Sequence, residues 1–280
     1  MTRPAGPPGR PGAAATEVRT GVRRKVGRVC VPSRDCDGQR RTDATPADAD
    51  RGGATLSRDL LAQVPLLAQL GPTAMDDVAA LMRRHRYAAG DVVFHQGDPG
   101  TALYIVEEGE VKIVLGSSDG KEVILRLLGR GDFLGELALL DGEPRSAEAV
   151  ATLPTTLLIL PREAFVAFVT EHPQAALVLL TTLSRRLRGA DNRMHDAVFL
   201  DVRTRLVKVL VDLAETRGQP DPRGVLIASR LTQGDLAGMV GATRESVNKW
   251  LRYYVERGLI LHERQRLTVV DLKRLRAELS

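Results

Sequence analysis

The chain has 280 residues, 43% hydrophobic and only 4% aromatic, with 40 basic against 35 acidic side chains. That is enough aliphatic material for a sizeable core and enough length for two domains. No run approaches the ~20 apolar residues of a membrane span, and the first residues lack the apolar centre of a secretory signal, so a cytoplasmic protein without a membrane partner is expected. Two cysteines, Cys30 and Cys36, are too few for a disulfide framework, a four-thiolate cluster or an all-cysteine zinc site, and no metal is expected.

Residues 1–52 carry 11 basic and 6 acidic side chains and 6 of the 15 prolines, with almost no apolar periodicity. A disordered basic tail over 1–55 is expected, either a nonspecific nucleic-acid contact or upstream sequence from a generous choice of start. The long middle of the chain is acidic in balance and the last sixty or so residues are basic again, which points to a polyanion partner there.

From Leu60 the composition turns aliphatic. A short helical opening (Leu60, Leu61, Val64, Leu66, Leu67) and a helix over Met75–Arg84 lead into brief strands at Val92–Phe94, Leu103–Val106, Val111–Leu115, Val123–Leu128, Ala147–Ala151 and Thr156–Leu160, with glycines between them. Short strands with a turn every 8–12 residues predict a β-sandwich or barrel, and the lack of long intervening helices argues against a parallel sheet. Pro161 opens a short helix and Pro173 a long one. Along the long helix Leu180, Leu183, Leu187, Ala190, Met194 and Ala197 form a narrow heptad seam, flanked by Arg185, Arg186 and Arg188. The seam favours a parallel dimer contact over a helix lying on its own domain. Phe199–Leu213 reads as a further helix running into a linker or loop over Gly218–Pro222.

Two constellations carry chemistry. In Phe133–Ala147, Gly135 marks a strand giving way to a short helix, where backbone N–H groups can approach an anion, and Arg145 offers a rigid fork of donors to it. The Glu136 carboxylate would be repelled by a phosphate unless it faced a donor, and a ribose hydroxyl is one. The set describes a pocket for a sugar phosphate. In Leu231–Leu251, Thr232 with Asp235 begins a capping box, Gly241 breaks the first helix, and Thr243 caps a second, which is a helix-turn-helix. Val247, Trp250, Leu251 and Tyr254 share one face of that second helix. This leaves Arg244, Glu245, Asn248, Lys249 and Arg252 on the other, the side-chain types that read base edges. Gly258–Leu261 and Arg264–Val270 give a hairpin wing.

The run Gly135-Glu136-Leu137-Ala138-Leu139 followed by Pro144-Arg145-Ser146-Ala147 resembles the phosphate-binding cassette of cyclic-nucleotide-binding domains. With the seam helix and winged helix that follow, residues 58–275 resemble the CRP/FNR superfamily of bacterial transcription regulators. The resemblance implies an α+β chain: a jelly-roll-like cyclic-nucleotide-binding β-roll (56–172), a dimerisation helix and hinge (173–217) and a winged helix-turn-helix DNA-binding domain (218–280). It also implies that Gly135, Glu136, Leu137 and Ala138 bind ribose and phosphate, with Glu136 on the 2′-hydroxyl and Arg145 and Ser146 on the cyclic phosphate, and Leu125 counted with the pocket. Ala190 and Asp191 stand where family members contact the base with hydroxyl residues, and Arg126 stands where a small hydroxyl residue lies near it. On DNA the resemblance adds Thr232 and Thr243 to the reading face and implies palindromic half-sites. A homodimeric, non-enzymatic regulator is expected, controlled by a cyclic nucleotide, cyclic AMP first and cyclic GMP second, with double-stranded DNA and RNA polymerase as partners. The alternatives are a regulator whose ligand is lost or changed, and a cyclic-nucleotide-binding subunit that uses its winged helix on protein.

Overall fold

The computed structural model describes residues 58–279, apart from 69, 118, 119, 121, 228–230, 264 and 265. The tail expected over 1–55, with Cys30 and Cys36, lies outside the described residues, as do Lys121, Arg264 and Gln265.

Two helices, α1 (Arg58–Gln63) and α2 (Pro72–Leu81), precede eight strands: β1 (Arg83–Tyr87), β2 (Val92–Phe94), β3 (Ala102–Glu108), β4 (Val111–Gly116), β5 (Glu122–Leu128), β6 (Phe133–Leu134), β7 (Glu148–Ala151) and β8 (Thr155–Pro161). A short helix, α3 (Glu136–Leu140), stands between β6 and β7. The strands form two antiparallel four-stranded sheets, ordered β1-β8-β3-β6 and β2-β7-β4-β5. Because successive side chains of a strand point to opposite faces, β3 serves two cores. Tyr104 and Val106 pack between the sheets with Val111, Leu128, Leu134, Ala149 and Leu157. Leu103 and Ile105 face outward under Leu60, Leu67, Phe165, Phe168 and Leu179 from the covering helices. The β3–β4 turn requires its glycine: Gly109 has φ +90°, and a Cβ there would stand 2.5 Å from the carbonyl oxygen of Pro154.

The chain then forms α4 (Arg162–Glu171), α5 (Pro173–Phe199), α6 (Val202–Arg217), β9 (Gly218–Asp221), β10 (Gly224–Ile227), α7 (Gln233–Val240), α8 (Arg244–Glu256), β11 (Ile260–Glu263), β12 (Arg266–Val269) and α9 (Leu272–Ala277). A third antiparallel sheet runs β11-β12-β10-β9. Leu206, Val207 and Leu210 of α6 join Leu236, Val247, Leu251, Tyr254, Ile260 and Leu275 in a separate core. The molecule is thus an N-terminal β-sandwich, a long helix and a C-terminal winged helix-turn-helix.

Several expectations are corrected. The helix expected to reach Arg84 ends at Leu81, and Arg83–Tyr87 is a strand. Its sequence Arg-Arg-His-Arg-Tyr carries no apolar alternation because β1 pairs with β8 alone and is a sheet edge. Arg84 spends its charge on a two-pronged pair with Glu107 at 2.5 and 2.6 Å. The linker expected over Gly218–Pro222 is instead the outer strand of a hairpin, with Gln219 opposite Leu226. Phe199 closes α5 rather than opening the next helix. The break follows from Asp201, whose carboxylate accepts from Thr204 N–H at 2.7 Å and caps α6. Lys208 pairs with Asp196 at 2.6 Å, and Arg205 donates to the Ala197 carbonyl, so α5 and α6 are tied across the break.

The helix-turn-helix rests on the sandwich. Lys112 of β4 pairs with Asp235 in the capping box of α7 at 2.9 Å. A Cβ on Gly238 would stand only 3.1 Å from the Glu122 carbonyl oxygen, so α7 lies directly on β5. Arg217, at the end of α6, donates to the buried Glu110 and to the Leu127 carbonyl, each at 2.5 Å.

Burial works to raise the Asp235 carboxyl, but the hydrogen bonds from Lys112 and Thr232 outweigh it and hold its pKa below the ordinary value. A depressed folded-state pKa contributes stability that is full above the unfolded value, about 3.9, and is lost as pH falls through the lower folded one. Thermal denaturation followed through the carboxylate range should therefore show less acid destabilisation in Asp235→Asn than in the parent. Parallel curves for the two proteins would show that the contact carries no such linkage.

Candidate ligand pocket and nucleic-acid face

The cassette is organised by a left-handed glycine. Gly135 joins β6 to α3 with φ +85°, and a Cβ there would stand 2.5 Å from Arg145 Nη1. The space a side chain would take holds the guanidinium. Arg145 donates to the Gly135 carbonyl at 2.6 Å and to the Ala102 carbonyl at 2.7 Å, and its Cζ lies 4.4 Å from the Phe94 ring centroid and 5.6 Å from that of Tyr104. The backbone of Arg145 is held as well, donating to the Asp98 carbonyl and accepting from Gly97 N–H. Only 3% of Arg145 is exposed, and this burial lowers its pKa. Its Nε has no hydrogen-bond partner.

Glu136 is 2% exposed. One carboxylate oxygen accepts from Arg186 of α5; the other, Oε2, is buried without a partner. Arg186 also donates to the Phe133 carbonyl at 2.7 Å and lies over the Phe133 ring. A buried donor and a buried acceptor therefore stand unsatisfied in one cassette, and each costs free energy until something pairs with it. A molecule bearing an acceptor for Arg145 and a hydroxyl for Glu136 satisfies both, as a ribose phosphate does. The chain's residues fit a cyclic nucleotide at its phosphate and ribose ends.

Of the residues expected here, Gly135, Glu136, Ala138 and Arg145 are brought together, with Ala138 packed so closely on Gly100 that a Cβ there would meet it at 2.5 Å. Ser146 follows Arg145 and is exposed, as is Leu137; Leu125 is half-buried on β5. Ala190 and Asp191 lie exposed on α5, with no hydrogen bond to the cassette. Sequence reasoning missed Arg186, read only as a flank of the seam, and the Phe94 and Tyr104 rings. The spacing of Arg186 and Arg193, two turns apart along one flank of the seam, was the signal for the first.

The side chains expected to read bases lie along α7 and α8 with differing exposure. Thr232 and Thr243 spend their hydroxyls on the first-turn N–H groups of Asp235 and Ser246, capping α7 and α8. Arg244, Glu245, Lys249 and Arg252 are exposed along α8, whereas Val247, Leu251 and Tyr254 are buried beneath them. Asn248 is half-buried, with a buried, unpaired Oδ1, and lines a cleft of about 270 Å³ with Gln233, Arg252, Glu256 and His262. Trp250 is only partly covered, and Arg203 lies over its ring while donating to the Tyr254 hydroxyl.

Residues 84–172 match the family of cyclic nucleotide-binding domains and residues 204–278 the Crp-like helix-turn-helix domain. The chain is 33% identical to the CRP-like cAMP-activated global transcriptional regulator of Mycobacterium tuberculosis over 217 residues, 78% of this chain and 97% of that one. It is 35% identical to the cyclic AMP receptor protein of Thermus thermophilus over 196 residues, 70% of this chain and 88% of that one. Among solved structures it is similar to the c-di-GMP responsive global regulator CLP of Xanthomonas campestris, with a TM-score of 0.65 and 25% identity over 72% of this chain and 100% of that one. A CRP family transcriptional regulator of Thermus thermophilus gives a TM-score of 0.60 and 27% identity, over 70% of this chain and 96% of that one.

Arg186 neutralises a buried carboxylate. Arg186→Ala should lower the stability of the ligand-free protein by about 1.5–3 kcal/mol, the scale of a lost charged hydrogen bond, and adding Glu136→Gln should recover part of that loss. Urea denaturation of the single and double variants measures the coupling. Strictly additive effects would mean that the two side chains are energetically independent.

Proposed function

Because the chain belongs to the CRP-like family of transcription regulators, we propose that it is a homodimeric DNA-binding regulator whose affinity for DNA is set by a cyclic nucleotide bound in the cassette. The observation that carries the ligand half of this reading is the buried unpaired couple of Glu136 Oε2 and Arg145 Nε. The 2′-hydroxyl donates to Glu136, and the cyclic phosphate, with Ser146 beside it, supplies the counter-charge to Arg145. Cyclic AMP and cyclic GMP share both groups, so these contacts select the cyclic ribose phosphate and leave the base to other residues.

The dimer reading rests on α5. Leu177, Leu180, Leu187, Met194 and Val198 are all more than half exposed in the single chain, along a helix of 27 residues. A stripe of that length on one face is the form of a coiled-coil seam. Two copies paired along it place two α8 helices in a two-fold relation, suited to a palindrome with half-sites about 34 Å apart. Arg244 and Lys249 then meet guanines, Glu245 the amino group of cytosine, and Asn248 an adenine. The reading places the protein in the cytoplasm with RNA polymerase as a partner. Among the described residues no single helix is long and apolar enough to cross a membrane.

Calorimetric titration tests the ligand half. The parent protein should bind a cyclic purine nucleotide, and Glu136→Ala or Arg145→Ala should weaken it by about 1.5–3 kcal/mol. Absence of heat with both cyclic AMP and cyclic GMP would refute the reading.

Gel shifts test the DNA half. Arg244→Ala should cost about 1–3 kcal/mol on a palindromic site and relax the preference at one base pair. Leu187→Asp, which opposes two like charges across the seam, should sediment as a monomer and lose the palindrome-dependent shift. An unchanged cognate-to-scrambled ratio in Arg244→Ala would show that α8 does not read sequence.

A further inference from the structure

One side chain grips the reading helix α8 from the break between α5 and α6. Arg203 stands in the first turn of α6, two residues after the Asp201 cap. Its Nε donates to the Tyr254 hydroxyl at 3.1 Å, its Nη2 donates to the Glu278 carboxylate, and its Cζ lies 5.8 Å from the ring centroids of both Trp250 and Tyr253. Three aromatic side chains of α8 thus meet one guanidinium, in a chain only 4% aromatic. Tyr254 is fully buried, so its hydroxyl needs a partner, and Arg203 supplies it. Glu278, the C-cap of α9, also stands 3.8 Å from Arg257, the C-cap of α8, and Arg257 donates to the Tyr253 hydroxyl. The start of α6, the second half of α8 and the end of α9 are joined in one cluster.

The contacts that span the break belong to other side chains. Lys208 pairs with Asp196, and Arg205 donates to the Ala197 carbonyl, so α6 follows the end of α5. Arg203 makes α8 follow α6. Apolar packing between α6 and α8 is non-directional and leaves α8 room to roll about its axis. A planar guanidinium with two hydrogen-bond partners and two ring faces fixes that roll. The roll decides where the exposed face of α8 points. Lys249, expected to read bases, has its Nζ 5.4 Å from the centroid of the same Trp250 ring that Arg203 covers.

We propose that Arg203 is a positioning residue for DNA recognition: it fixes the roll of α8 against α6, so that a movement at the α5–α6 break reaches the reading face. The proposal rests on the reading of the chain as a nucleotide-controlled DNA-binding regulator and names the side chain that carries the control into α8. The competing account is that Arg203 only satisfies the buried Tyr254 hydroxyl, in which case its loss lowers stability and nothing else.

Trp250 is the only tryptophan of the chain, so its emission reports on the cluster without a label. In the DNA-free full chain, saturating cyclic AMP or cyclic GMP should change that emission, and on a palindromic duplex the nucleotide should raise the parent's affinity about tenfold or more, the usual scale of coupling between sites. Arg203→Met keeps the aliphatic stem and loses the fork. It should bind nucleotide in calorimetry as the parent does, lose the emission change, and keep about threefold or less of the gain on DNA. Adding Tyr254→Phe removes the orphaned hydroxyl; the melting temperature should return towards the parent's while the gain stays lost. If Arg203→Met alone does not fold, the double variant carries the test. A parent that binds nucleotide with no emission change, a parent-sized gain in Arg203→Met, or a gain that recovers together with stability in the double variant would each overturn the proposal and leave the nucleotide pocket standing. If neither nucleotide gives heat with the parent, the ligand reading fails by itself. The cognate-to-scrambled ratio then decides: a lowered ratio in the double variant supports the positioning role, and the parent's ratio overturns it.

Discussion

The whole arrangement depends on burying two opposite charges in one short segment without pairing them to each other. Arg145 is held by two backbone carbonyls and two aromatic rings, and Glu136 by an arginine of another element. Each group keeps one polar atom unanswered. Burying such groups without a full set of partners costs free energy, and the surrounding sandwich supplies it through the cores on both faces of β3. Gly135 is the geometric condition for the cluster, since only a residue without Cβ leaves room for the guanidinium.

The same cluster connects the pocket to the rest of the chain. Arg186 bonds at once to Glu136 and to the Phe133 carbonyl, so a ligand that competes for Glu136 acts on α5 directly. That helix carries the exposed apolar seam, and the Asp196–Lys208 pair ties its end to α6, which packs in the core of the winged helix. A second route runs through the sandwich itself, by Lys112 to Asp235 and Glu110 to Arg217. Both routes consist of charged groups with alternative partners, the kind of element whose equilibrium a ligand can bias.

Much of this was legible in the sequence where a residue's role is local. The caps at Thr232, Asp235 and Thr243 and the αL turn at Gly241 depend on neighbours three or four residues away, and they appear as expected. So do β3 to β5, whose aliphatic runs mark strands buried on at least one face. The strand β1 was hidden because an edge strand tolerates charge, and β9 because Gly-Gln-Pro-Asp has a turn composition and becomes a strand only through its partner β10.

By itself the sequence determined the order of the elements, the cassette Gly135–Glu136 with Arg145, and the exposed polar face of α8, because glycine turns, caps and helical periodicity are short-range consequences of residue chemistry. Only the tertiary structure decided which charges share a pocket. Glu136 and Arg186 come from α3 and α5, fifty residues apart, and no local pattern records that they meet. Their proximity, and with it the unpaired donor of Arg145 and acceptor of Glu136, exists because two sheets and a long helix close around one cassette.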